Sequence, residues 1–125
     1  MEQSKARSGT RILLADDQAK VRSALRLLLE NQPDVEILGE AVDTTGLLNL
    51  VKAARPDVIL LDWELPGLPA VALLPLLHLH QPGLRVIALS GRPEASKAAL
   101  EAGADTFVSK GNPPECLVTA IDACR

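Results

Sequence analysis

Aromatic residues are nearly missing from this 125-residue chain, which has one Trp, one Phe and no Tyr. Its core must therefore be built from Leu, Val, Ile and Ala. A basic excess is also absent: the formal charge is −3, and direct nucleic-acid binding needs a clustered positive field. No apolar run approaches the length of a membrane span, and Met1 to Arg11 is polar without the apolar centre of a secretory signal. A soluble, cytoplasmic protein with no membrane contact is expected. There is no Walker loop and no zinc spacing, and Ala88-Leu89-Ser90-Gly91-Arg92 is not a nucleophile elbow. His78 and His80, two apart on a predicted helix, diverge and are not read as co-ligands. Cys116 and Cys124 fall in one predicted helix, where eight residues separate their Cα atoms by about 12 Å, beyond disulfide reach. Both are expected to be reduced packing residues.

What is present fits one ordinary domain, with 47% hydrophobic and 23% charged residues and no repeat or linker. Residues 1–10 are expected to be a flexible tail and residues 11–125 the domain. The organising stretch is Asp57-Val58-Ile59-Leu60-Leu61-Asp62. Strands buried on both faces of a parallel sheet are continuous apolar runs, and Val58 to Leu61 has that character.

Other segments follow the same plan. Ile12 to Ala15 reads as a strand running into Asp16-Asp17, then Val21, Leu25, Leu28 and Leu29 recur at helical spacing until Asn31-Gln32-Pro33. Lys20, Arg22 and Arg26 face elsewhere. Val35 to Gly39 is a weaker, peripheral strand, and Asp43 is the expected N-cap of a helix that ends before Arg55-Pro56. Ala70 to His80 is helical in composition, but Pro75 predicts a late start or a kink. Arg85 to Leu89 is the fourth strand, followed by a helix from Pro93 through Leu100 that stops at Gly103. The fifth strand, Asp105 to Ser109, leads to Lys110. Asn112-Pro113-Pro114-Glu115 has capping-box spacing and opens a last helix with Leu117, Val118 and Ile121 inward.

Five strand-then-helix units predict a doubly wound α/β sandwich with a parallel sheet, because right-handed crossovers lay each helix against the sheet. Parallel strands share a carboxyl edge, where ligands bind in such folds. Asp16, Asp17, Asp62, Ser90 and Lys110 all follow strand ends and converge there. Three close carboxylates repel one another unless a cation neutralises them. All-oxygen ligands suit a hard ion, and a site with few carboxylates suits Mg²⁺. Lys110 adds a point charge and Ser90 a hydroxyl, the groups that hold phosphoryl oxygens around a nucleophilic Asp62.

With these residues in place the sequence resembles the receiver domain of two-component response regulators, the CheY-like family, from Arg11 to about Ala123. The acidic pair, an Asp in a DxxxPG context, a Ser or Thr, and a Lys match Asp16-Asp17, Asp62 with Pro66-Gly67, Ser90 and Lys110. The resemblance implies a flavodoxin-like (βα)5 fold with sheet order 2-1-3-4-5, and a phosphoryl group received on Asp62 from a histidine kinase. It implies Mg²⁺ on Asp17, Asp62 and the Glu64 backbone carbonyl with Asp16 in support, and a switch in which Ser90 moves and Phe107 fills its place. The switched surface would comprise the fourth helix, fifth strand and fifth helix, with dimerisation on phosphorylation. Gly-Asn-Pro-Pro-Glu after Lys110 is similar to receivers with a LuxR-type DNA-binding output domain. Both a stand-alone receiver and a fragment of a longer regulator stay open.

Pro69-Ala70 departs from the family's usual Asp-Gly at the start of the third helix. Glu64 and Arg92, two residues after Asp62 and Ser90, are expected to pair across the cleft mouth and slow loss of the phosphate. Two other classes compete. A receiver-like interaction module, never phosphorylated, would work through a fixed surface such as the Pro93 to Ala102 helix. A metal-dependent phosphatase would need a second Asp where Glu64 stands.

Overall fold

The computed structural model describes residues 9–124. Five parallel strands, β1 (Thr10–Ala15), β2 (Val35–Ala41), β3 (Val58–Asp62), β4 (Arg85–Ser90) and β5 (Thr106–Ser109), form one sheet in the order β2-β1-β3-β4-β5. Five helices alternate with them: α1 (Ala19–Glu30), α2 (Thr44–Ala54), α3 (Ala70–His80), α4 (Ser96–Glu101) and α5 (Pro114–Ala123). This is the expected doubly wound, flavodoxin-like (βα)5 fold. Of the expected tail, residues 1–10, residues 1–8 lie outside the described residues, and Thr10 is not tail but the buried first residue of β1.

The two-residue alternation of each strand builds two cores. Leu13, Ile59, Leu61, Val86 and Ala88 point to one face, under Leu47 and Val51 of α2, Leu73, Leu74 and Leu77 of α3, and Ala99 of α4. Ile12, Leu14, Val58, Leu60, Ile87, Leu89 and Val108 point to the other, under Leu29 of α1 and Leu117 and Ile121 of α5. Every residue of β3 is buried, which explains its unbroken apolar run. Each fully buried Leu or Ile contributes about 1.5–3 kcal/mol relative to exposure, so the central strand anchors the sheet.

Local chemistry sets the helix ends. Asp43 accepts the Gly46 amide at 2.8 Å and caps α2 as expected. At the other end Arg55 takes φ 51° ahead of Pro56, and Arg11 donates to the Arg55 and Ala54 carbonyls at 2.7 and 2.8 Å. The α3 helix does not start late; it begins at Ala70 and carries Pro75 inside. Leu73, Leu74 and Leu77 on its sheet face hold it through the missing hydrogen bond. Among the described residues no helix is long and apolar enough to cross a membrane.

The fourth helical segment opens at Pro93 and ends before Gly103, at φ 114°, as expected, with its first turn, Pro93–Ala95, wound as 3₁₀ ahead of the six-residue α4. Two further expectations fail. The Asn112 capping box does not form: α5 begins after Pro113 with no side-chain cap, and the Asn112 amide that Glu115 would have accepted donates to the Ser109 carbonyl at 3.0 Å. Cys116 is exposed on the first turn of α5, not packed, whereas Cys124 lies against the core; both are free.

Candidate functional site

Strand register brings the polar residues together. Ala15 pairs with Leu61, Asp62 with Leu89, and Ser90 with Ser109, so β1, β3, β4 and β5 end level and Asp16, Asp62, Ser90 and Lys110 emerge side by side. Asp62 is the last residue of β3. The strand pairing continues past it, with the Trp63 amide donating to the Leu89 carbonyl at 2.7 Å and the Lys110 amide to the Ser90 carbonyl at 2.8 Å.

Asp16 and Asp62 are buried while Asp17 is exposed, and one carboxylate oxygen of each lies within 4.8 Å of the others. Asp16 Oδ1 accepts the Gln18 amide at 2.9 Å, which fixes its side chain at the start of α1, and its Oδ2 accepts Lys110 Nζ at 2.8 Å. The Lys110 ammonium lies 3.5 Å from Asp62 Oδ1, and that oxygen accepts the Glu64 amide at 3.0 Å. Burial pushes the Asp62 carboxyl above its ordinary range, and the neighbouring Asp16 charge adds to this. The Glu64 amide and Lys110 oppose the rise without cancelling it, because the ammonium sits closer to Asp16. Burial pulls Lys110 down, but its contacts with Asp16 and Asp62 outweigh that and hold it protonated. A buried acid whose charge is opposed wants a second cation. Oxygens bound to one Mg²⁺ at 2.0–2.1 Å are about 3–4 Å apart, so three carboxylates at this spacing fit such an ion after a small closure.

On the rim, Ser90 has no solvent exposure. Its hydroxyl lies 3.1 and 3.0 Å from the two Glu64 carboxylate oxygens and accepts the Arg92 amide at 3.0 Å. Arg92 Nη2 donates to Glu64 Oε2 at 3.1 Å. Phe107 pairs in register with Ala88 and packs against the same core, on the face from which Ser90 projects two residues further along β4.

Two supports escaped the sequence reading. Thr44 is buried and clasps the loop after Asp62: its amide donates to the Pro66 carbonyl at 3.0 Å and its Oγ1 accepts the Leu68 amide at 2.9 Å. Gly67, at φ 117°, lies so close to Thr44 Oγ1 that a Cβ there would collide with it. Arg22 donates to the Asp16 carbonyl at 2.9 Å and to Glu40 at 2.8 Å, bracing the acidic loop. Pro66-Gly67 hinted at the first. Nothing local announced the second, since Arg22 and Glu40 are 18 residues apart.

A level carboxyl edge carrying three acids, a lysine and a serine is the site of a doubly wound α/β domain. The response regulator receiver domain profile matches residues 12–122, and the chain belongs to that family, the receivers of two-component systems. A protein-glutamate methylesterase/protein-glutamine glutaminase of Thiobacillus denitrificans is 37% identical over 103 residues, which cover 80% of this chain and 29% of that protein. The nitrate/nitrite response regulator NarL of Escherichia coli is 32% identical over 112 residues, 88% of this chain and 52% of NarL. The chain thus spans about half or less of these curated relatives. Among solved structures, a LuxR-family two-component response regulator from Aurantimonas sp. SI85-9A1 superposes with a TM-score of 0.85 at 31% identity, over 93% of this chain and 84% of the other. These similarities place the chain among signal-transduction proteins whose relatives include transcriptional regulators.

Proposed function

We propose that this receiver, working in the cytoplasm, accepts a phosphoryl group on Asp62 from the phosphohistidine of a sensor kinase. The observation that carries the proposal is the Asp16, Asp17 and Asp62 cluster within 4.8 Å, crossed by Lys110 at 2.8 Å from Asp16 and 3.5 Å from Asp62. Asp17, Asp62 and the Glu64 carbonyl, with Asp16 in support, would hold Mg²⁺, which when bound supplies the positive charge that keeps Asp62 ionised and offsets charge on the transferring group.

The chain's residues divide the remaining work. An Asp62 carboxylate oxygen forms the new bond to phosphorus as the phosphorus–nitrogen bond breaks, and the histidine imidazole keeps the electron pair. Lys110 sits where a phosphoryl oxygen on Asp62 would gather charge, as a preorganised cation already desolvated by the fold. Ser90 donates its hydroxyl to a second phosphoryl oxygen. An apolar groove of about 350 Å³ between α1 and the start of α5, lined by Val21, Leu25, Leu28, Pro113 and Leu117, opens beside Lys110 and gives a kinase helix a resting place next to the acceptor. Chemistry is confined to Asp62 itself. The output is a shift of population at the α4-β5-α5 surface, with Ser90 drawn toward the phosphate and Phe107 following. A LuxR-type DNA-binding domain or dimer formation reads that surface. Glu64 and Arg92, in contact at the mouth, screen the acylphosphate from water.

Borohydride trapping tests the site assignment, because it reduces an aspartyl phosphate to homoserine. After incubation with a phosphorylated kinase and Mg²⁺, peptide mapping should find homoserine at position 62. Homoserine elsewhere, or none, would overturn the proposal.

A further inference from the structure

We propose that Glu64 is a positioning residue that occupies the Ser90 hydroxyl in the resting protein and must surrender it before a phosphoryl group can be held on Asp62. The inference rests on the acceptor reading above and deepens it. A serine hydroxyl has one proton to donate. That of Ser90, without solvent access, lies between both oxygens of the Glu64 carboxylate at 3.0 and 3.1 Å, while the Arg92 amide fills a lone pair at 3.0 Å. A phosphoryl oxygen on Asp62 would need the same proton.

Charge makes the two occupants exclusive. Glu64 follows Asp62 by two residues, and its carboxylate holds the hydroxyl that an anionic phosphoryl group would claim, so both cannot stay close without repulsion. Arg92 supplies the way out. Its guanidinium already touches Glu64 Oε2 at 3.1 Å and is more than half exposed, so the carboxylate can swing toward solvent while keeping that partner. The exchange moves no proton between residues: Ser90 keeps its hydrogen and redirects it from carboxylate to phosphoryl oxygen. Glu64 is thus an internal rival of the phosphoryl group, and the resting state is held by a hydrogen bond that phosphorylation breaks. Screening from water acts after phosphorylation and sets its lifetime, whereas this rivalry acts before it and sets uptake.

Beryllofluoride, a stable phosphoryl analogue, isolates uptake because it does not hydrolyse. Its affinity in the presence of Mg²⁺ can be read by fluorine NMR for wild type, Glu64→Ala, Glu64→Gln, Ser90→Ala and the Ser90→Ala/Glu64→Ala pair. Glu64→Ala should bind about tenfold more tightly than wild type, the size expected for losing one charge-assisted hydrogen bond. Glu64→Gln, which keeps an acceptor but no charge, should fall between. In the Ser90→Ala background the same Glu64→Ala change should gain less than about threefold, because the contested proton is gone. Equal or weaker binding by Glu64→Ala overturns the proposal, and so does an undiminished gain without Ser90, which would leave charge alone as the cause. Failure of every variant, wild type included, to bind beryllofluoride overturns the acceptor reading along with it.

Discussion

At the amino-terminal edge of the sheet Arg11, Asp57 and Asp105 direct hydrogen bonds at backbone, with Arg85 also 3.8 Å from Asp105, whereas at the carboxyl edge Asp16, Asp17, Asp62 and Lys110 face one another. The Asp57 carboxylate accepts the Arg11 amide at 2.9 Å, Asp105 accepts the Val86 amide at 2.7 Å, and the Arg11 guanidinium closes the end of α2. Each of these side chains completes a hydrogen bond that a helix end or a strand start would otherwise leave open. At the opposite edge the strands themselves satisfy the backbone, through the Trp63 and Lys110 amides. Asp16 and Asp62 each take one local amide as well, from Gln18 and Glu64, but the charges of the acids there face each other and one lysine. The same residue types stabilise the fold at one edge and store unfavourable charge at the other, and only the second arrangement is ready for a ligand.

Separating these roles experimentally begins with Lys110. Lys110→Ala should slow phosphorylation by about 100-fold or more, the range for losing one preorganised charge at a reacting centre, as read by the rate of phosphoryl uptake from a small donor. Arg11→Ala should do the reverse, lowering stability in urea melts by about 2 kcal/mol by stripping two helix-end carbonyls of a charged donor, with phosphoryl uptake unchanged. A loss of uptake in Arg11→Ala would erase the distinction between the edges.

Smaller effects sharpen it. Because burial and Asp16 raise the Asp62 pKa, the ionised form is less favourable in the folded chain than in the unfolded one, and this cost grows as pH rises through the raised value. Asp62→Asn should therefore melt a few degrees higher than wild type in metal-free buffer near neutral pH, and the gap should narrow as wild type takes up its proton in acid. Added Mg²⁺ should stabilise wild type far more than this variant. Flanking the carboxyl edge, hydrogen bonding from Arg26 is the main cause that lowers the Glu40 pKa; burial opposes it, and Arg22 adds to it. A depressed pKa gives stability that is complete above the ordinary carboxylate range and is lost as pH falls through the lowered value. Glu40→Gln should cost about 1 kcal/mol near neutral pH, since these pairs are partly solvated, and the difference from wild type should close in acid.

Much of this was legible because two-sided burial leaves a plain mark. Val58 to Leu61 could be read as a central strand from four apolar residues, and once the strands were parallel, Asp16, Asp17, Asp62, Ser90 and Lys110 had to share an edge. What stayed hidden depended on register and on long-range contacts. The β1–β2 pairing shifts between Ile12 and Leu13, and β2 runs on to Ala41, which no local pattern announced. Thr44 under Gly67 and Arg22 on Glu40 join segments that spacing alone does not relate. The Asn112 capping box failed because a local turn back to the Ser109 carbonyl claimed its amide first. That Glu64 and Arg92 lie close was expected from their places after Asp62 and Ser90, but their shared hold on the Ser90 hydroxyl needed the folded loop.

The central claim is that the charge stored at the carboxyl edge makes Asp62 a phosphoryl acceptor. The intact mass after incubation with acetyl phosphate, with and without Mg²⁺ and beside Asp62→Asn, tests it most directly. Wild type should gain the mass of one phosphoryl group only when Mg²⁺ is present, and Asp62→Asn should gain none. An unchanged wild-type mass under donor and Mg²⁺, or an equal gain in the variant, would contradict the account.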